Sequence, residues 1–166
     1  MADTGSGPWI RRTLEVLAGC DEIVVVIGAG ADDVLALLPA GTRTVLNPLH
    51  PSGMGSSLGA GLTAIGEGMD VALVMLVDLP DVGIAVVDRV ALHARTFRTP
   101  TEVLARAAYH GRPGHPVAIG RTHFGGIIAG AKGDVGARNY LTGHRAELIE
   151  CGDIGGGRDV DDRARA

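Results

Sequence analysis

Apolar residues fall along this chain in two rhythms. Short runs that are apolar at both parities alternate with segments in which apolar positions recur every three or four residues. Val71–Val77 is the clearest run, rich in valine and closed by Asp78 and a Leu79-Pro80 pair. Such a run reads as a strand covered on both faces, as in a parallel sheet. Pro80 cannot continue a ladder, so Asp78 is expected at the strand's carboxyl end. Further strands are predicted at Glu22–Gly28, Thr42–Leu46 (ending in Asn47-Pro48), Thr101–Tyr109, Pro116–Ile119 and Glu147–Cys151, with a turn at Gly111–Gly114. Helical spacing marks Ile10, Leu14 and Leu17 after Pro8, then Ala31–Leu38, a helix bearing Leu58, Leu62 and Ile65, Ile84–Arg95, Thr122–Ala129 and Val135–Leu141. Residues 1–7 are small and polar and read as disordered. Helices and strands alternate without a repeat or internal linker, which predicts one α/β layer structure with a mostly parallel sheet.

The length of 166 residues suits a single domain, expected to span 1–166. Hydrophobic residues make up 46% but aromatic ones only 3%, so the core must be built from Val, Leu, Ile and Ala. Twenty-six glycines imply many tight turns and backbone lying close to a ligand. A net charge of −4, with no Lys/Arg cluster, argues against a nucleic-acid partner. Lys132 is the only lysine, a bias that points to genome composition rather than function. Cys20 and Cys151 match no metal or redox spacing and read as free thiols in a reducing compartment. No segment is long and apolar enough to span a membrane, and the start has no secretion signal, so a cytoplasmic protein is expected.

Several motifs carry chemistry, each with a plainer alternative. Asp78 stands at the edge where open α/β sheets bind ligands; it holds a cation or polar ligand there, or it begins a turn. Gly28-Ala-Gly30 follows a strand, but Asp33 occupies the place of the third glycine in a dinucleotide fingerprint, so a simple helix entry suffices. Gly55-Ser56-Ser57-Leu58-Gly59 fits the G-x-S-x-G pattern of a hydrolase, with Asp78 and His115 following in order. The loop before it, rather than a strand, does not suit a nucleophile elbow. Ser56 and Ser57 instead sit where a glycine-rich loop enters a helix, a place that binds anions and polar ring edges or needs a serine N-cap. His110 and His115 lack a third metal ligand, and Gly114-His115-Pro116 reads as a turn facing a pocket. Asp134 and Arg138 flank a ligand or cap a helix. Asp159 and Asp161 offer two more carboxylates, or a solvated tail.

Taken in order, NPLHPSGMGSSLGAGL, VMLVDLPDV, GHPVAIGRTHF, GDVGARNYL and RDVDD resemble the MobA-like nucleotidyltransferases, and among these the molybdenum cofactor cytidylyltransferases. The resemblance covers about Trp9 to Asp162. It implies a Rossmann-like three-layer α/β/α fold. The implied activity is Mg²⁺-dependent transfer of CMP or GMP from CTP or GTP to a phosphorylated acceptor such as molybdopterin. It implies that Asp78 binds the metal and that catalytic Asp161, or Asp159, approaches that metal from the far side. By the same match Ser56 and Ser57, with Gly53 and Gly55 of their loop, lie beside the base and ribose. Gly114, His115, Asp134 and Arg138 would line the acceptor pocket.

One departure stands out. The family opens with a strand and a loop of the form LAAGxSxRMGxPK, which contacts the triphosphate, and MADTGSG is too short and polar to replace it. The strand lies in mid-sheet in the family, between those matching Glu22–Gly28 and Val71–Val77. Two apolar strands are then expected to flank an empty slot with unpaired backbone groups. The expectation is an amino-terminally incomplete chain, first strand missing, with very weak or no transferase activity. Its alternatives are a non-catalytic remnant that binds a nucleotide or a partner, favoured by homodimerisation over the slot, and a serine hydrolase using Ser57.

Overall fold

The computed structural model describes residues 9–158. Asp159, Asp161 and the opening residues, on which several expectations fall, lie outside the described residues. Six strands and six α-helices follow in the order α1 (Trp9–Val16), β1 (Val24–Ile27), α2 (Ala31–Leu37), β2 (Arg43–Leu46), α3 (Met54–Ala64), β3 (Val71–Val74), α4 (Ile84–Thr96), β4 (Leu104–Tyr109), β5 (Arg112–Gly120), α5 (Phe124–Gly130), α6 (Arg138–Gly143) and β6 (Glu147–Glu150).

The strands form two sheets. β1 and β2 pair in parallel, and β3, β5, β4 and β6 form a second sheet in that order. The α/β architecture is as expected, but the second sheet is mixed: β5 runs antiparallel to both β3 and β4, while β4 and β6 are parallel. The cause is a hairpin. His110 and Gly111 both have positive φ (53° and 76°), and Tyr109 pairs with Arg112 across them, a two-residue turn that returns the chain beside β4. The expected turn at Gly111–Gly114 is therefore displaced, and β5 starts four residues before the predicted Pro116. Glu150 stabilises the hairpin tip by accepting the backbone N–H groups of His110 (2.9 Å) and Gly111 (3.0 Å). Those bonds, with one from Gly152, hold its carboxyl below the usual glutamate range.

Side-chain alternation divides the core into two layers. Ala105, Ala107, Tyr109 and Ala118 meet Val86, Val87, Val90 and Ala94 of α4, with Val16 of α1 packed alongside. Ala72, Leu104, Val117 and Ile119 on the opposite face meet Leu62 of α3, Phe124 and Ile127 of α5, and Leu141 of α6. The result is three layers, α/β/α. Alanines in β4 and β5 let the helices lie close to the sheet, which is how a chain so poor in aromatics fills its interior.

Among the described residues β1 pairs only with β2, and β3 only with β5, so each presents one edge without a strand. These are the two edges expected to flank a slot. Helix α3 bridges the sheets: Gly61 leaves room for Val26 of β1, while Leu62 packs beneath β3 and β5. Its carboxyl end is tied to the amino ends of the strands. Arg43, at the start of β2 and ion-paired with Glu22, donates to Ala64 O at 2.6 Å. Arg121, at the end of β5, donates to the carbonyls of Gly66 and Met69. The amino end of α3 therefore faces the carboxyl ends of β2 and β3, and that rim is where the candidate site lies.

Candidate active site

Two expectations about the rim need correction. The β3 ladder ends at Val74 rather than Val77, and Met75–Leu76 run on without pairing before a turn at Val77–Asp78. Asp78 is thus four residues past the ladder, half-buried, still beyond the carboxyl end of β3. β3 and β5 are antiparallel and their ladder ends at Val74–Val117, so Met75–Asp78 leaves it, and Gly114-His115-Pro116 enters it, at the same end. The Asp78 turn and the Gly114-His115-Pro116 segment therefore share one rim.

The serine segment also differs. Gly53, not a serine, precedes the first turn of α3, so neither Ser56 nor Ser57 is an N-cap. Ser57 lies inside the helix with a 3₁₀ turn (His50–Ser52) upstream, so the strand-to-serine geometry of a nucleophile elbow is absent. Both hydroxyls are organised by Asn47, which the sequence reading passed over as a strand terminator. Asn47 is 3% exposed. Its Nδ2 donates to Ser56 Oγ (2.8 Å) and Ser57 Oγ (3.0 Å), and its Oδ1 accepts from Leu49 N (3.0 Å). Ser56 directs its own proton to the carbonyls of Leu49 (2.9 Å) and Gly53 (2.8 Å). Ser57 accepts from Asn47 and spends its proton on no described partner, so Ser57 is the hydroxyl able to donate to a ligand.

Glycines bring the remaining segments in. A Cβ on Gly53, whose φ is +108°, would fall 2.4 Å from the carbonyl carbon of Gly133, and one on Gly55 would fall 2.7 Å from the backbone of Ala131. The Gly133–Val135 turn carrying exposed Asp134 is thereby pinned against the start of α3. Arg138 is the first residue of α6 rather than the middle of a Val135–Leu141 helix, because Gly136 at φ 54° breaks the helical path. A Cβ on Gly114 or Gly157 would strike the Tyr109 ring at 2.7 or 2.2 Å. Tyr109 is thus clasped between β5 and the final described segment, and it donates its hydroxyl to His115 O at 2.8 Å. Gly156 N bonds Asp81 O (3.2 Å) and Arg158 Nε lies 3.7 Å from Asp81 Oδ2, so the chain just ahead of Asp159 runs beside the Asp78–Asp81 turn.

The electrostatics of the rim are uneven. Burial, and then the Arg106 charge, push His115 down to about 4, so its imidazole is neutral near pH 7. Burial and then the nearby Arg138 lower Arg106. No cluster of three His, Cys, Asp or Glu occurs among the described residues. Among the described residues Asp78 is the carboxylate placed to hold a hard divalent cation, supplemented by the oxygens of a bound phosphate.

An α/β sheet with a polar helix start and an aspartate turn at the carboxyl rim of its strands suits the class of proteins that handle nucleotides. The chain belongs to the MobA-like NTP transferase domain family, whose model matches residues 1–148, and so it is a nucleotidyltransferase. Its fold is similar to that of Rv0371c from Mycobacterium tuberculosis H37Rv, crystallised as a complex with manganese. The two are 26% identical, with a TM-score of 0.74 over 95% of this chain and 84% of that one. A homologue of that protein from Mycobacterium sp. strain JC1 aligns with a TM-score of 0.79 at 26% identity, over 99% and 84% of the two chains. A nucleotidyl transferase from Methanothermobacter shares the fold, with a TM-score of 0.72 at 24% identity over 91% of this chain and 73% of that one. No curated protein matches the chain significantly. Among the described residues no helix is long and apolar enough to cross a membrane.

Proposed function

We propose that this nucleotidyltransferase moves CMP or GMP from CTP or GTP to a phosphorylated acceptor of the molybdopterin kind, with Mg²⁺, in the cytoplasm. The observation that carries the reading is the common rim on which the Asn47–Ser57 start of α3 and the Asp78 turn both stand. Ser57, oriented by Asn47, donates to a polar edge of the base or ribose. Gly53 and Gly55 keep that surface flat and close to the Gly133–Val135 turn. Asp78 is the ligand for the divalent ion, with Asp161 or Asp159 as second carboxylate. The ion, when bound, neutralises charge at the α-phosphate and on the departing pyrophosphate. His115, neutral at working pH, and Arg138 with Asp134 border the acceptor side. An acceptor phosphate oxygen attacks the α-phosphorus; that P–O bond forms as the bond to the β-bridging oxygen breaks, and pyrophosphate leaves. The protein's share of the rate is alignment of the two substrates and electrostatic support.

Nucleotide titration with and without Mg²⁺, for the native chain and Asp78→Ala, tests this. The expected result is Mg²⁺-dependent binding of CTP or GTP in the native chain, reduced at least tenfold by Asp78→Ala, while Mg²⁺-free binding is unchanged. Equal Mg²⁺ dependence in both proteins would refute the assignment of Asp78.

A further inference from the structure

Arg106 is the one charged residue in β4, whose other members are Leu104, Ala105, Ala107, Ala108 and Tyr109. In a strand, alternation puts it on the face of Leu104 and, across the ladder, of Val117. That is the face covered by α3, α5 and α6. A guanidinium there is half-buried, and no carboxylate among the described residues lies within ion-pair distance of it. Among the described residues one of its five N–H donors is engaged: Nε donates to Gly114 O at 3.1 Å. That bond aims the two Nη groups and leaves four donors without a described acceptor.

The surroundings make the arrangement costlier still. Arg138, at the start of α6, is near enough for its positive charge to oppose that of Arg106. His115 shares the face by alternation with Val117 and stays neutral, so it adds a polar lining without further charge. A half-buried guanidinium with no acid beside it, facing the like charge of the exposed Arg138, gains from an anion. A planar fork anchored at Nε and open at both Nη groups matches two oxygens of a tetrahedral oxyanion.

We infer that Arg106 forms a subsite for a phosphate group, and that this phosphate is carried by the acceptor rather than by the nucleotide. The lateral order of the rim favours the acceptor. β5 lies between β3 and β4, so the Arg106 backbone stands two strand spacings, roughly 10 Å, from the strand that leads to Asp78, and its fork, held at Gly114 O on β5, reaches toward the Asp78 turn from that side. The serines of α3 lie on the other side, following β2 and next to β1. A nucleotide running from Ser57 to Asp78 leaves the Arg106 side of the rim to the second substrate. This assignment of source rests on the transferase reading above; the anion subsite itself does not.

The test uses inorganic phosphate and CTP or GTP with Mg²⁺ as separate probes on the native chain, Arg106→Gln and Arg106→Lys, each checked for folding by circular dichroism. Phosphate binding is followed in all three proteins by shifts of backbone amide resonances around Gly114 and by calorimetry, and in the native chain also by protection of Arg106 from phenylglyoxal. The expected result is millimolar phosphate binding that falls at least tenfold in Arg106→Gln and about fivefold in Arg106→Lys, which keeps the charge but not the fork. Nucleotide affinity should stay within threefold in both variants. Should Arg106→Gln fail to fold, Arg106→Lys and the protection experiment decide the question alone. Unchanged phosphate binding in the folded variants, or no protection of Arg106, overturns the subsite. Parallel loss of phosphate and nucleotide binding overturns its assignment to the acceptor. If phosphate binds through Arg106 but no nucleotide binds at all, the subsite stands and the transferase reading fails.

Discussion

Replacing Asn47 with alanine separates the scaffold of the site from its ligand contact. The side chain is 3% exposed and makes three hydrogen bonds, to Ser56, Ser57 and Leu49. At about 1 kcal/mol net for each bond, Asn47→Ala should cost about 3 kcal/mol. In a chain of this size that lowers Tm by roughly 6–12 °C. Ser56→Ala also acts on stability, because its hydroxyl serves Leu49 O and Gly53 O within the protein. It should lose about 1–2 kcal/mol and bind nucleotide normally. Ser57→Ala gives up only one acceptor for Asn47, about 1 kcal/mol, but removes a donor available to the ligand. One lost hydrogen bond weakens nucleotide binding roughly 2- to 12-fold. Urea unfolding and nucleotide titration of the three variants measure both quantities. The reasoning fails if Asn47→Ala changes stability by less than about 0.5 kcal/mol. It fails equally if Ser56→Ala weakens nucleotide binding as much as Ser57→Ala does.

Two further outcomes follow from the rim. His115 titrates at about 4 in the folded chain against 6.5 in the unfolded one, so the unfolded state takes up the proton first. Stability should therefore be full above pH 6.5 and decline as pH falls toward 4, by about 3 kcal/mol in total, and His115→Gln should flatten that slope in urea melts at stepped pH. Gly53→Ala forces a side chain into positive φ and against the Gly133 backbone; it should cost about 3 kcal/mol or more and depress nucleotide affinity, seen as a lowered urea midpoint and a weakened titration. A Gly53→Ala protein with native stability would mean that the Gly133–Val135 turn is not held against α3 as described.

The alternation of apolar runs with helical spacing determined the α/β class, the position of most elements and the approach of Asp78 to a strand end. These are local properties: a buried strand needs two apolar parities and a helix one apolar stripe, and both are written in consecutive residues. Strand direction was not local. β5 pairs antiparallel because His110 and Gly111 both adopt positive φ, and a histidine there lacks the Asn-Gly or Asp-Gly signal that announces such a turn. The organising side chains that the sequence does not announce, Asn47, Arg106 and Tyr109, look ordinary in one dimension: a residue before a proline, a charge in an alanine-rich strand, an aromatic at a strand end. Their roles depend on partners far along the chain or across the sheet, Asn47 on Ser57, Arg106 on Gly114 and Arg138, Tyr109 on Gly114 and Gly157. Composition and spacing thus decided which elements form. Only packing decided which of two serines spends its proton within the protein, and which arginine meets no acid among the described residues, because hydrogen-bond saturation and charge balance are properties of three-dimensional neighbourhoods.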